Sequence, residues 1–206
     1  MGGWVAKGLS AALSLVAFAS PALADTSTLP SPTYTPGSPF TGTILVTASV
    51  GGACGFLNTA PSDNYTFNDI DTTQWEATKE FRLDCNVASR VAVTSSNGGL
   101  QGPALAATPG HSNLAPYTVD LNLVGSSASI AAQCSAASLK DGSCTDFYGT
   151  AAIGQTDGLR LASPSVNVPG SFIKVSAPAF NATPSNPTLV NGTYNDTLVI
   201  SVAAAP

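Results

Sequence analysis

The chain has 206 residues and a formal charge of −5, and only 9% of its residues are charged. An acidic, charge-poor surface gives no electrostatic reason to bind nucleic acid or an anionic membrane. A 44% apolar content with abundant Thr, Ser, Ala, Val and Gly points instead to a β-protein that buries much of its surface.

Residues 1–24 read as a cleaved export signal. Lys7 precedes an apolar stretch, Leu9 to Ala19, and Ala22-Leu23-Ala24 satisfies the small-x-small cleavage rule. The stretch is too short to span a bilayer as a helix, which needs roughly 20 apolar residues. Removal leaves 182 residues with a charge of −6, enough for one domain and a sizeable core. The expected product is exported. Residues 25–41 hold Pro30, Pro32, Pro36 and Pro39, which exclude helix and central strand, so this part reads as a flexible or extended arm.

Residues 42–50 form the next unit. Ile44, Val46, Ala48 and Val50 share one face at period two, with Leu45, Thr47 and Ser49 opposite, until Gly51-Gly52 breaks the pattern. Residues 51–206 then read as one domain of short strands. Asn64–Ile70 is a candidate strand. From Lys79 to Cys85 the alternation is clean, with Phe81, Leu83 and Cys85 inward and Arg82 and Asp84 outward. Val87–Ser95 follows, and Asn97-Gly98 signals a turn. Tyr117–Val124 alternates again, and Leu159–Ala162, Phe172–Ala177 and Thr197–Val202 complete the set. Ala128–Leu139 could carry a helical turn. Short strands at regular spacing with turn punctuation imply an all-β antiparallel sandwich.

Four cysteines fit an oxidising compartment and allow three pairings. Cys54–Cys85 with Cys134–Cys144 is preferred. The second pair closes a short loop that Asp141-Gly142 can turn, and the first staples an early strand to the next. No CxxC spacing exists, and the single His111 lies in a Pro/Gly-rich stretch, so no metal site and no cofactor are expected. His111 beside Ser112 is not a catalytic dyad, because sequence neighbours do not converge in space, and no nucleophile elbow is present. The chain is not expected to be an enzyme. Asp63, Asp69 and Asp71 lack calcium-loop spacing and read as solvated turn residues. Trp75 reads as a core or groove-edge aromatic.

The end of the chain carries Gly192-x-Tyr194-x-Asp196-Thr197 followed by an apolar strand. This block resembles the terminal strand of the spore coat protein U family, which includes the pilins of archaic chaperone–usher pili. Cys54-Gly55-Phe56, Tyr65-Thr66-Phe67, Leu83-Asp84-Cys85 and Tyr117–Leu121 resemble its other landmarks in order, so the similarity spans roughly residues 42–202. The resemblance implies an incomplete immunoglobulin-like sandwich lacking its final strand. A periplasmic chaperone, and then the donor strand of another copy or a related pilin delivered through an outer-membrane usher, would fill the resulting groove. It further implies that Ile44, Val46, Ala48 and Val50 are the donor row, that Tyr194 packs at a sandwich corner with its hydroxyl on backbone, and that Asp196 pins a turn. The function implied is a surface filament supporting adhesion or biofilm formation. Two other readings stay open. Residues 42–50 could be the first strand of a self-sufficient secreted binding module, lectin-like in class, or the chain could be a self-associating coat or matrix protein.

Overall fold

A computed structural model describes residues 45–104, 109–182 and 187–205. Ile44 of the expected donor row, the export signal and the arm lie outside the described residues. The fold below is that of the unit beginning at Ala48.

Among the described residues fourteen strands occur in chain order: β1 (Cys54–Phe56), β2 (Trp75–Phe81), β3 (Leu83–Cys85), β4 (Ser89–Ser95), β5 (Leu100–Gln101), β6 (His111–Ser112), β7 (Leu114–Ala115), β8 (Thr118–Val124), β9 (Ser129–Ser135), β10 (Leu159–Leu161), β11 (Ser165–Val166), β12 (Ser171–Ala177), β13 (Thr188–Leu189) and β14 (Leu198–Ala204), with one α-helix, α1 (Ala136–Asp141), after β9. They form an all-β, sandwich-like fold. One sheet runs β2-β12-β8-β9, and against it lie β10-β4-β14 and the short β1-β3-β11. The larger ladders are all antiparallel.

Strict alternation decides which faces meet. In β8, Val119, Leu121 and Leu123 are fully buried, while the residues between them are half-exposed. Val91 and Val93 of β4, Leu83 and Cys85 of β3 and Leu161 of β10 meet them in one continuous core. Removing such a side chain from water contributes about 1.5–3 kcal/mol. The small pairs β5-β7 and β6-β13 form ladders of their own.

Both preferred disulfides form, Cys54–Cys85 and Cys134–Cys144. The first joins β1 to β3 where those residues are cross-strand partners. The second ties β9 to the loop after α1.

Several expectations are corrected. Asn64–Ile70 is not a strand: Asp69 takes a left-handed φ of 53°, and its carbonyl accepts from Thr72 and Thr73 N–H, so turn chemistry wins. Residues 45–50 carry no strand either. The helical turn expected over Ala128–Leu139 begins only at Ala136, where the Ser135 hydroxyl caps Ser138 N–H at 3.1 Å. Before it, the Ala-rich run Ser129–Ser135 pairs with β8 throughout, and this cross-strand pairing overrides its helical propensity. The turn at Asn97-Gly98 forms but closes no hairpin, since β4 pairs with β14 and β10. Finally, the last strand runs past Val202 to Ala204, and Ala203 packs with Ala92 and Ala151 in a cluster that admits only small side chains.

Candidate functional site

β14 pairs with β4 along its whole length and has no ladder on its other side among the described residues. Ser96 N–H donates to Thr197 C=O and Ala205 N–H to Ala88 C=O, which fixes odd-numbered β14 residues as the hydrogen-bonded partners of β4. The backbone groups of Leu198, Ile200 and Val202 therefore point toward the unpaired edge. The side chains of the same three residues turn inward and stay only half-buried against the core. An unpaired edge beside incompletely covered apolar side chains is a template for another strand.

Beside this edge lies a groove of about 330 Å³. Leu198 and Ile200 form one wall. Ala77, Ile173 and Val175 form the floor, closed at one end by Trp75, Tyr117 and Leu100. The opposite wall is the irregular segment Pro61–Phe67. It is held by an aromatic stack, with Tyr65 on Phe67 at 6.5 Å, Phe67 on Trp75 at 4.5 Å and Trp75 against Tyr117 at 5.7 Å. Trp75 is 8% exposed, so it is a groove-end core aromatic. The Tyr65 hydroxyl donates to Thr78 C=O at 3.1 Å, and Lys79 bridges to Asp63 at 3.1 Å. That ion pair holds the Asp63 carboxyl below the usual carboxylate range, and the Asn64 N–H adds to the effect.

The terminal motif anchors the start of β14. Asp196 accepts four hydrogen bonds: Oδ1 from Asn97 N–H (2.9 Å) and Thr197 N–H (2.7 Å), and Oδ2 from the Ser95 hydroxyl (2.6 Å) and the Tyr117 hydroxyl (2.7 Å). It thus pins β14 to the turn after β4 and to the head of β8. Burial first, and then the carboxylate beside it, push the Tyr117 phenol well above its ordinary value. The Tyr194 hydroxyl donates to Val190 C=O at 2.8 Å, four residues upstream, with Ser112 C=O at 3.2 Å, so it occupies a corner position. Its ring lies where a Cβ on Gly102 would sit, and Gly192 (φ 155°) is likewise pressed against Pro103. Larger residues do not fit at either glycine. Thr197, the last residue of the motif, is exposed and lines the groove.

Of the expected donor row, Val46 is 83% and Val50 87% exposed, Ala48 is exposed, and Leu45 on the opposite face is 88% exposed. Asp196, Thr197 and Trp75 converge on one site, the groove. The sequence reading missed its floor and its ion pair, although the period-two step back from Phe81 points Lys79 and Ala77 inward. His111 is exposed, and the Ser112 hydroxyl bonds to the backbone of Leu114, so the two do not form a dyad. Among the described residues no group of His, Cys, Asp and Glu is placed to hold a metal ion, and no helix is long and apolar enough to cross a membrane. No protein-family model, curated protein or solved structure matches the chain.

Proposed function

We propose that the chain is a structural subunit of a secreted surface filament, and that the groove beside β14 receives residues 42–50 of a neighbouring copy. The observation that carries this reading is the unpaired edge of β14, with Leu198 and Ile200 half-covered along a groove whose floor is apolar, and Val202 half-buried further along the same strand. The proposed donor is complementary in kind. It is uncharged, alternates at period two, and places Val46, Ala48 and Val50 in solvent. Seating the larger side chains would contribute about 1.5–3 kcal/mol each. Each net backbone hydrogen bond would add about 0.5–1.5 kcal/mol, and this is the physics of strand addition. Export, a periplasmic chaperone that covers the groove before assembly, and an outer-membrane usher are the partners that the resemblance of the terminal motif implies. Adhesion or biofilm formation would be the filament's role.

Deleting residues 43–50 tests the reading. A folded chain that no longer polymerises is the expected result. Loss of the fold itself would make this segment the chain's own first strand, and a self-contained binding module would replace the filament subunit.

A further inference from the structure

The inner face of β2 reads Trp75, Ala77, Lys79, Phe81. Trp75 and Phe81 are buried, Ala77 is half-buried, and a lysine interrupts the row. Lys79 lies cross-strand from Ile173, lines the groove, and meets Asp63 of the opposite wall at 3.1 Å. An ion pair therefore joins floor to wall on the side of the groove away from β14, where the remaining floor is apolar. Its side chain is 35% exposed and that of Asp63 42%, so both are still hydrated while the groove is open. A strand laid into the groove would strip that water. A bulky apolar side chain at this point would desolvate the pair without replacing its lost hydrogen bonds, whereas a small one leaves room and an acidic one supplies a partner. In the row Ile44, Val46, Ala48, Val50, one side chain is small.

We propose that Lys79, held by Asp63, is the specificity-determining residue of the groove: it admits a strand from another copy of this chain in the register that sets Ala48 against it, and it rejects strands that are large and apolar there. The inference rests on the filament reading above and deepens it. An inward charge lowers the affinity of the groove for arbitrary apolar segments, and selectivity of this kind arises by penalising the wrong partner.

The test uses peptides of residues 42–51, added to the chain at sub-micromolar concentration. Binding is read through the fluorescence of Trp75 at the groove end, in the chain from Asp25 onward, where it is the single tryptophan. Four peptides are compared: the native sequence, Ala48→Asp, Ala48→Leu and Val46→Asp. The native chain should bind Ala48→Asp within about threefold of the native peptide, and Ala48→Leu and Val46→Asp about a hundredfold more weakly. The double variant Lys79→Met with Asp63→Asn removes both charges, so no orphan is left. It should bind Ala48→Leu at least about tenfold more tightly than the native chain does, and reject Ala48→Asp. Lys79→Arg, which keeps the charge, should preserve the native ranking and shows that the double variant's effect is not a folding defect. If the native chain and the double variant rank the four peptides alike, this inference falls while the groove remains a strand receptor. If no peptide binds either chain, the filament reading falls with it.

Discussion

The two lateral edges of the sandwich are built differently. At the edge formed by β9 and β10, the chain covers itself. The Cys134–Cys144 disulfide, α1 and the loop after it fill the space, Leu139 and Phe147 are fully buried, and Phe147 C=O accepts from Val93 N–H at 2.8 Å. A glycine at φ 84°, Gly142, ends α1 and lets its N–H return to Ser138 C=O. At the other edge, between β2 and β14, the wall Pro61–Phe67 forms no ladder, and Leu198, Ile200 and Val202 stay half-covered. The same core therefore has one side that the chain covers fully and one side that it covers only in part. Incomplete cover in a 206-residue chain is not a shortage of apolar residues. Leu45, Val46 and Val50 are present and exposed.

Substitutions can break this contrast. The largest effect is expected at the closed edge. Phe147→Ala should cost about 3–5 kcal/mol in the isolated chain, measured by denaturant unfolding. Replacing Cys134 and Cys144 together by Ala should cost about 2–4 kcal/mol by the same measurement. Tyr117→Phe, at the head of the groove, removes one hydrogen bond to Asp196 and should cost about 1–2 kcal/mol. It should also change the pH profile. The folded state keeps the Tyr117 phenol protonated above its ordinary range, so its contribution is present below pH of about 10 and is lost as the unfolded chain ionises above that. Alkaline destabilisation above that point should be shallower in Tyr117→Phe. The smallest effect on the isolated chain is expected from Ile200→Ala, about 1 kcal/mol for a half-buried side chain, yet this variant should weaken polymerisation most. An Ile200→Ala penalty as large as that of Phe147→Ala would mean that the chain already fills its own groove.

Strong alternation made the core readable. Phe81, Leu83 and Cys85, and Val119, Leu121 and Leu123, needed no partner to reveal their faces, because period two alone fixes them. The corner role of Tyr194 came only through the resemblance of the terminal motif, and its hydroxyl partner lies four residues away. What the sequence hid depends on distant pairing. The Ala-rich β9 is a strand because β8 lies beside it. Asp63 and Lys79 are 16 residues apart and meet only because Pro61–Phe67 folds along β2. Asp196 joins Tyr117 across 79 residues and Ser95 across 101, contacts that no local pattern encodes. Asn64–Ile70 contained strand-forming aromatics, but these stack toward Trp75 instead of entering a ladder.

Amide hydrogen exchange along β14 tests the central claim most directly. In the isolated chain Leu198, Ile200 and Val202 should exchange fast while Val199 and Ser201, bonded to β4, exchange slowly, and in assembled material all five should be protected. Slow exchange at Leu198, Ile200 and Val202 in a dilute, unassembled chain would show the edge already closed from within and would contradict the account.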